Sequence, residues 1–159
     1  MKLYHGSTEI VVKPQIVEPN RALDFGRGFY TTSDINQARR WVKLRLNNYN
    51  LSVGYINIYE YKYQNKLKLR TFRSANESWI DFVHKNRVLI EYAQGYDVVR
   101  GPGAKDYVYL IFNLYESGII DKSELIKRMK TYKLADQILF HTEISLDSLS
   151  FIGYKEVKL

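Results

Sequence analysis

Two short stretches of this chain hold residue types whose order and spacing suit chemistry. The first is Tyr4-His5-Gly6-Ser7. The second, about two dozen residues on, is Phe25-Gly26-Arg27-Gly28-Phe29-Tyr30-Thr31-Thr32. Together they supply a histidine and a glycine beside a hydroxyl, then an aromatic platform reached through a glycine-rich turn. A flat aromatic amide joined to a ribose needs this set, and the nicotinamide half of NAD is such a group. Trp41 follows eleven residues after Tyr30 and offers a second aromatic face. A cationic ring held between two electron-rich faces is favoured by stacking and by cation–π attraction. Each piece alone also reads as ordinary structure: a turn after a strand, strand packing, and a core residue of an amphipathic helix.

These residues need elements to position them. Lys2 to His5 reads as a short strand ending in Gly6-Ser7, and Asp24 to Thr32 as a glycine-rich turn running into a second strand. Ser33-Asp34 then caps a helix of about fifteen residues with Ile35, Ala38, Trp41, Val42 and Arg45 near one face. Tyr55–Tyr63 and Leu67–Phe72 read as strands. Ser74 and Glu77 have the spacing of a capping box for a helix through Trp79, Phe82 and Val83. Tyr96–Val99 reads as a strand ending at Arg100-Gly101-Pro102-Gly103, and a helix from Lys105 to Glu116 is stopped by Gly118. Asp121 with Glu124 opens a basic helix that carries Lys122, Lys127, Arg128, Lys130 and Lys133. Gln137–Glu143 reads as a strand, and the tail holds Leu149–Ile152 and a last strand near Tyr154–Val157. Strands and helices mixed out of strict alternation predict one α+β domain over residues 1–159.

The 159 residues are 45% hydrophobic and 26% charged, which is globular composition. Lys and Arg number 24 against 17 Asp and Glu, a formal charge of +7, which favours anionic partners. There is no cysteine, so disulfides and thiolate metal sites are excluded. No His/Asp/Glu spacing suggests a metal. Met1-Lys2-Leu3-Tyr4-His5 lacks a signal layout and no apolar run is long enough for a bilayer, so the expectation is a soluble cytoplasmic protein with no membrane partner.

On the blocks Leu3–Ser7, Asp24–Tyr30, Ala38 with Trp41, Gly101-Pro102 and Asp136–Phe140, the chain resembles the ADP-ribosyltransferase superfamily. The likeness is to the branch related to diphtheria toxin and the poly(ADP-ribose) polymerases, and most closely to uncharacterised bacterial toxin-like members. The resemblance implies two small packed antiparallel sheets around an NAD cleft, with helices around them. It implies His5 on an NAD ribose hydroxyl, the Gly6 backbone on the nicotinamide carboxamide, a Ser7 hydroxyl contact, and the ring between Tyr30 and Trp41. Gly28 and Arg21 are added as cofactor-binding residues, Arg21 with Arg27 for the pyrophosphate. NAD is then a co-substrate, no metal is needed, and His5, Tyr30 and Gln137 form the catalytic set.

The third of these departs from the family pattern, which has glutamate where this chain has Gln137. A glutamine still bonds a ribose hydroxyl but does not offer full anionic stabilisation of an oxocarbenium-like transition state. Gln137→Glu is therefore expected from sequence to raise nicotinamide release. Glu143 shares a face with Gln137 on an even strand, but six residues span roughly 20 Å. The implied function is mono-ADP-ribosyl transfer from NAD to a protein or nucleic acid, as a bacterial toxin with an antitoxin partner. The alternatives are NAD hydrolysis, a catalytically weak module binding NAD or ADP-ribose, and a basic nucleic-acid-binding domain built on the helix from Lys122 to Lys133.

Overall fold

The protein is described by a computed structural model, in which residues 1–18, 23–89, 94–103, 106–131 and 134–159 are described. Arg21, expected at the pyrophosphate, lies outside the described residues, as do Lys105 and Lys133. The elements in chain order are β1 (Lys2–Ser7), β2 (Phe29–Thr31), α1 (Ile35–Tyr49), β3 (Val53–Tyr61), β4 (Leu69–Thr71), α2 (Glu77–Val88), β5 (Val98–Pro102), α3 (Asp106–Glu116), α4 (Lys122–Met129), β6 (Asp136–Phe140), α5 (Glu143–Leu146) and β7 (Leu149–Lys158). The class is α+β, with two small sheets.

One sheet has the order β1-β3-β7 and the other β2-β6-β5-β4. The first is antiparallel throughout. The second is not, because β4 pairs parallel to β5, Leu69 standing opposite Val98. The reason is connectivity: α2 joins these strands, and a helical crossover returns the chain in the same direction. The expectation of two antiparallel sheets is corrected here.

Alternation along the strands builds three apolar layers. Leu3, Phe29, Tyr59, Val98, Ile138 and Phe140 pack between the sheets. Ala38, Val42 and Leu46 of α1 pack on Ile56 and Val157, outside the first sheet. Phe25, Trp79, Ile80, Phe112, Leu125 and Leu139 fill the space between the second sheet and α2, α3 and α4. The apolar stripe of α1 thus follows its 3.6-residue period, and Trp41 falls at the edge of that stripe, half-buried.

Local chemistry sets most helix starts. Asp34 caps α1 by accepting from the Asn36 N–H at 2.9 Å, and Asp121 caps α4 by accepting from the Glu124 N–H at 2.8 Å. At α2 the cap is Asn76, whose Oδ1 accepts from the Trp79 N–H at 3.0 Å. Ser74, the cap expected from sequence, stands two residues outside the helix. The expected strand through Glu143 also stops early: β6 ends at Phe140 and Glu143 opens α5. Glu143 therefore shares no strand face with Gln137. Among the described residues no helix is long and apolar enough to cross a membrane.

The cap assignment is directly checkable. Asn76→Ala should lower unfolding free energy by about 1 kcal/mol, the usual cost of losing a cap. Ser74→Ala should leave it within about 0.5 kcal/mol. Urea unfolding of both variants reads the difference, and equal effects would return the cap to Ser74.

Candidate functional site

Among the described residues one isolated β-bridge links the backbones of the two sheets. Tyr4 and Thr32 pair antiparallel, with Tyr4 N–H to Thr32 C=O and Thr32 N–H to Tyr4 C=O both at 2.9 Å. In an extended strand, successive peptide groups point to opposite edges. Tyr4 uses its pair on β2, so Gly6, two residues on, also turns its N–H and C=O away from β3. The level position on β2 is Tyr30. There the ladder stops and β1 and β2 part.

The carbonyls that the parting leaves behind are taken by side chains. His5 Nδ1 donates to the Tyr30 carbonyl at 2.7 Å, and Arg45 Nη1 donates to the Gly6 carbonyl at 2.6 Å. A carbonyl only accepts, so Nδ1 of His5 carries the proton. Burial, aided by the positive charge of Arg45, pushes the His5 pKa down from 6.5 to about 4, against the opposing pull of the Tyr30 carbonyl. Near neutral pH the ring is therefore uncharged, and Nε2 keeps a lone pair. The ring packs on Phe29, with centroids 4.3 Å apart.

Gly6 is a glycine because of α1. A Cβ there would stand 2.4 Å from the Ala38 carbonyl oxygen and 3.1 Å from Trp41 Cβ. The helix fills the direction that a side chain would take. The same contact places the start of the Trp41 side chain beside Gly6. Tyr30 and Leu139 are direct partners, and Gln137 lies two residues from Leu139 on the same face of the second sheet. The bridge puts Tyr4, Thr32, Tyr30 and Gln137 on one side, the side from which Trp41 approaches. Gly6 and Trp41 thus meet on the α1 side of β1, Tyr30 and Gln137 share one face of the second sheet, and His5 reaches the Tyr30 carbonyl across the parting of the strands.

Tyr30 also holds the glycine-rich turn. Its hydroxyl donates to the Gly26 carbonyl at 2.6 Å and accepts from the Phe25 N–H at 3.1 Å. Gly26 has φ +82, a left-handed conformation that a side chain disfavours. Gly28 is packed against β6, where a Cβ would meet Phe140 O at 2.4 Å. Ser7 is buried and its hydroxyl accepts from the Glu9 N–H at 3.2 Å. Arg27 pairs with Glu18 at the surface.

Three residues to which the sequence reading gave no part in this site emerge from the structure. Asp24, only 3% exposed, accepts from Gln137 Nε2 at 3.2 Å. Arg87 of α2 stands 3.9 Å from the other oxygen of that carboxylate. Asp136 ties the second sheet to the start of α1, accepting from Ser33 N–H at 3.0 Å, Ser33 Oγ at 2.8 Å and Arg100 at 3.1 Å. Asp136 also lines, with Arg73, Arg100 and Leu134, a cavity of about 380 Å³ at the ends of β4 and β5. The signal for Asp24 was its place just before the turn that leads to Tyr30. The basic helix is partly neutralised within the fold: Lys122 pairs with Asp81 at 2.8 Å, and Arg128 with Glu124 at 2.8 Å. Among the described residues no group of three or more His, Asp or Glu side chains is placed to hold a metal ion.

A family model described as a protein of unknown function (DUF3990) matches residues 1–151. No curated protein matches the chain.

The neutral, half-buried His5 makes a pH prediction. Its folded pKa lies below the unfolded 6.5, so between these values the unfolded chain binds more protons and stability falls as pH falls from 6.5 towards 4. The loss assignable to His5 between pH 7 and pH 5 is at most roughly 2 kcal/mol. His5→Asn, which keeps a donor for the Tyr30 carbonyl but does not titrate, should show a correspondingly shallower decline in urea unfolding. Parallel declines would mean that His5 is not the group responsible.

Proposed function

The chain belongs to the DUF3990 family, and we propose that it is a mono-ADP-ribosyltransferase that moves ADP-ribose from NAD to a macromolecule. The observation that carries this reading is the parting of β1 and β2 just past the Tyr4–Thr32 bridge. Past the bridge the Tyr30 and Gly6 carbonyls accept from His5 and Arg45 in place of each other's N–H groups, and Gln137 lies two residues from Leu139, the β6 partner of Tyr30. In this reading the two sheets form an ADP-ribosyltransferase-like fold and the parting of the strands marks its NAD cleft.

Each group then has a role that its chemistry suits. The Gly6 N–H donates to the nicotinamide carboxamide oxygen, and its C=O accepts from the carboxamide NH₂. Arg45, an exposed and flexible side chain, yields the carbonyl on binding. The nicotinamide ring lies between Tyr30 and Trp41. His5 Nε2, an acceptor because Nδ1 holds the proton, takes a ribose hydroxyl proton in a hydrogen bond. Gln137 Oε1 accepts from the ribose 2′-hydroxyl. The bond from ribose C1′ to the nicotinamide nitrogen breaks, and its electron pair leaves with the ring, which becomes neutral nicotinamide. Positive charge passes to C1′ and the ring oxygen of the sugar. A nucleophile of the acceptor forms the new bond to C1′ from the opposite face and gives up its proton. Holding these partners in line supplies most of the help that a metal-free site has to offer.

Gln137 also supports a second reading, in which the domain binds NAD or ADP-ribose and turns it over slowly, with water as acceptor. The nucleic-acid-binding reading is weakened by the internal ion pairs of Lys122 and Arg128. A role as a bacterial toxin held by an antitoxin partner fits the transferase reading.

Incubating the protein with labelled NAD, with and without cell lysate, separates these readings. Transfer predicts nicotinamide release that lysate stimulates, with label retained on a macromolecule. Hydrolysis predicts release without retained label. Trp41→Ala should weaken NAD binding about tenfold by calorimetry, the upper range for a stacked cation. An unchanged affinity would remove Trp41 from the site, and no NAD binding by the wild type would sink the reading itself.

A further inference from the structure

The buried contact between Asp24 and Gln137 has a chemical direction. A carboxylate only accepts hydrogen bonds, so at 3.2 Å the amide nitrogen of Gln137 must be the atom facing Asp24 Oδ2. The amide oxygen is therefore the atom turned away from Asp24. Gly103 leaves the amide its space: a Cβ there would stand 3.1 Å from the amide carbon and 3.4 Å from Oε1. Asp24 in turn is fixed by its position in the turn that Tyr30 pins through Phe25 and Gly26. Gln94 adds a third tie, donating to the Phe25 carbonyl at 2.6 Å. Arg87 faces the far oxygen of Asp24 and is itself 3.4 Å from Glu116 of α3.

We propose that Asp24 is the positioning residue for Gln137, and that the pair does together what a single carboxylate would do alone. Asp24 fixes the amide with Oε1 presented. By accepting from Nε2 it also shifts electron density towards Oε1, as hydrogen bonds in series polarise one another. Oε1 then accepts from the ribose 2′-hydroxyl while the bond to nicotinamide breaks. The proton stays on the hydroxyl, and the electron pair leaves with nicotinamide as described above. This inference rests on the NAD-cleaving reading of the site. It also replaces the sequence expectation for Gln137→Glu. A second carboxylate at 3.2 Å from Asp24 would share one proton with it, because two like charges so close do not both ionise easily.

The test is a double-mutant cycle read as nicotinamide release, with NAD affinity and unfolding midpoints measured on each protein. Asp24→Asn keeps an acceptor but not the charge, and should lower kcat roughly tenfold, short of the larger losses seen when a directly contacting donor is removed. KM and the unfolding midpoint should stay near the wild-type values. Adding Gln137→Glu to Asp24→Asn should restore the rate, because a lone carboxylate then faces the sugar. Gln137→Glu by itself leaves Asp24 untouched, and its pH–rate profile should gain an ionisation that the wild type lacks. The charged neighbours from the packed elements, Arg87 and Glu116, are the same in both. The Gln137 side-chain amide resonance, identified by its loss in Gln137→Glu, should move upfield in Asp24→Asn. If the wild type releases nicotinamide while Asp24→Asn keeps full kcat, or while the amide resonance stays in place, the role of Asp24 is overturned and the NAD reading stands. If no variant and no wild-type protein releases nicotinamide, both fall together. Should Asp24→Asn fail to fold, a Gln137→Glu profile superimposable on the wild type would overturn the proposal alone.

Discussion

Two peptide hydrogen bonds join β1 to β2, and everything that distinguishes this fold follows from the ladder going no further. Had the strands continued to pair, Gly6 and Tyr30 would have satisfied each other and the sheets would have formed one surface. Their parting leaves polar backbone at the boundary between two apolar layers, and such groups carry a desolvation cost unless they are met. The fold meets the two carbonyls with side chains, His5 for Tyr30 and Arg45 for Gly6. A histidine used in this way becomes a fixed tautomer, with Nδ1 committed to the carbonyl and Nε2 keeping its lone pair.

A second constraint is the close approach of α1 to β1. With Ala38 and Trp41 against Gly6, the helix acts as a wall whose distance from the strand is set by a single missing side chain. Asp136 locks the start of the same helix to the second sheet. The helix therefore reports on both sheets at once: its apolar stripe is seated on the first, and its first residues are tied to the second.

The parts of this arrangement that were legible in sequence are those written in local chemistry. Asp34 and Asp121 announce their helices because a cap is a contact over two or three residues. The glycine-rich turn before Tyr30 is visible because Gly26 needs a left-handed conformation. The errors have equally physical sources. Ser74 and Glu77 match the spacing of a capping box, but Asn76 competes one turn-position later and wins. Glu143 continues an apparent alternation, yet β6 ends at Phe140 and Glu143 opens α5 with Thr142 at its N-cap. Parallel pairing of β4 and β5 was implicit in the strand–helix–strand order between Leu69 and Pro102. The pairing of Asp24 with Gln137 was out of reach, because the two lie 113 positions apart and no periodicity connects them. Arg45 was placed near one helix face with Ala38 and Val42, but no local signal marks it as a donor to the Gly6 carbonyl.

The separation of the two halves of the site along the chain has a bearing on its birth. Thr31 of β2 bonds to Ile138 of β6 across 107 positions, and β1 finds its ladder partner in β3, where Tyr4 stands opposite Ile58. Contacts of such range form late, since the loops they close carry a large entropy cost. A nascent chain on the ribosome can present His5, Gly6 and Tyr30 for most of its synthesis without ever assembling them. The pairing of β2 with β6 can form only once the chain has emerged past Phe140, so the strand that carries Tyr30 stays without its sheet for most of synthesis.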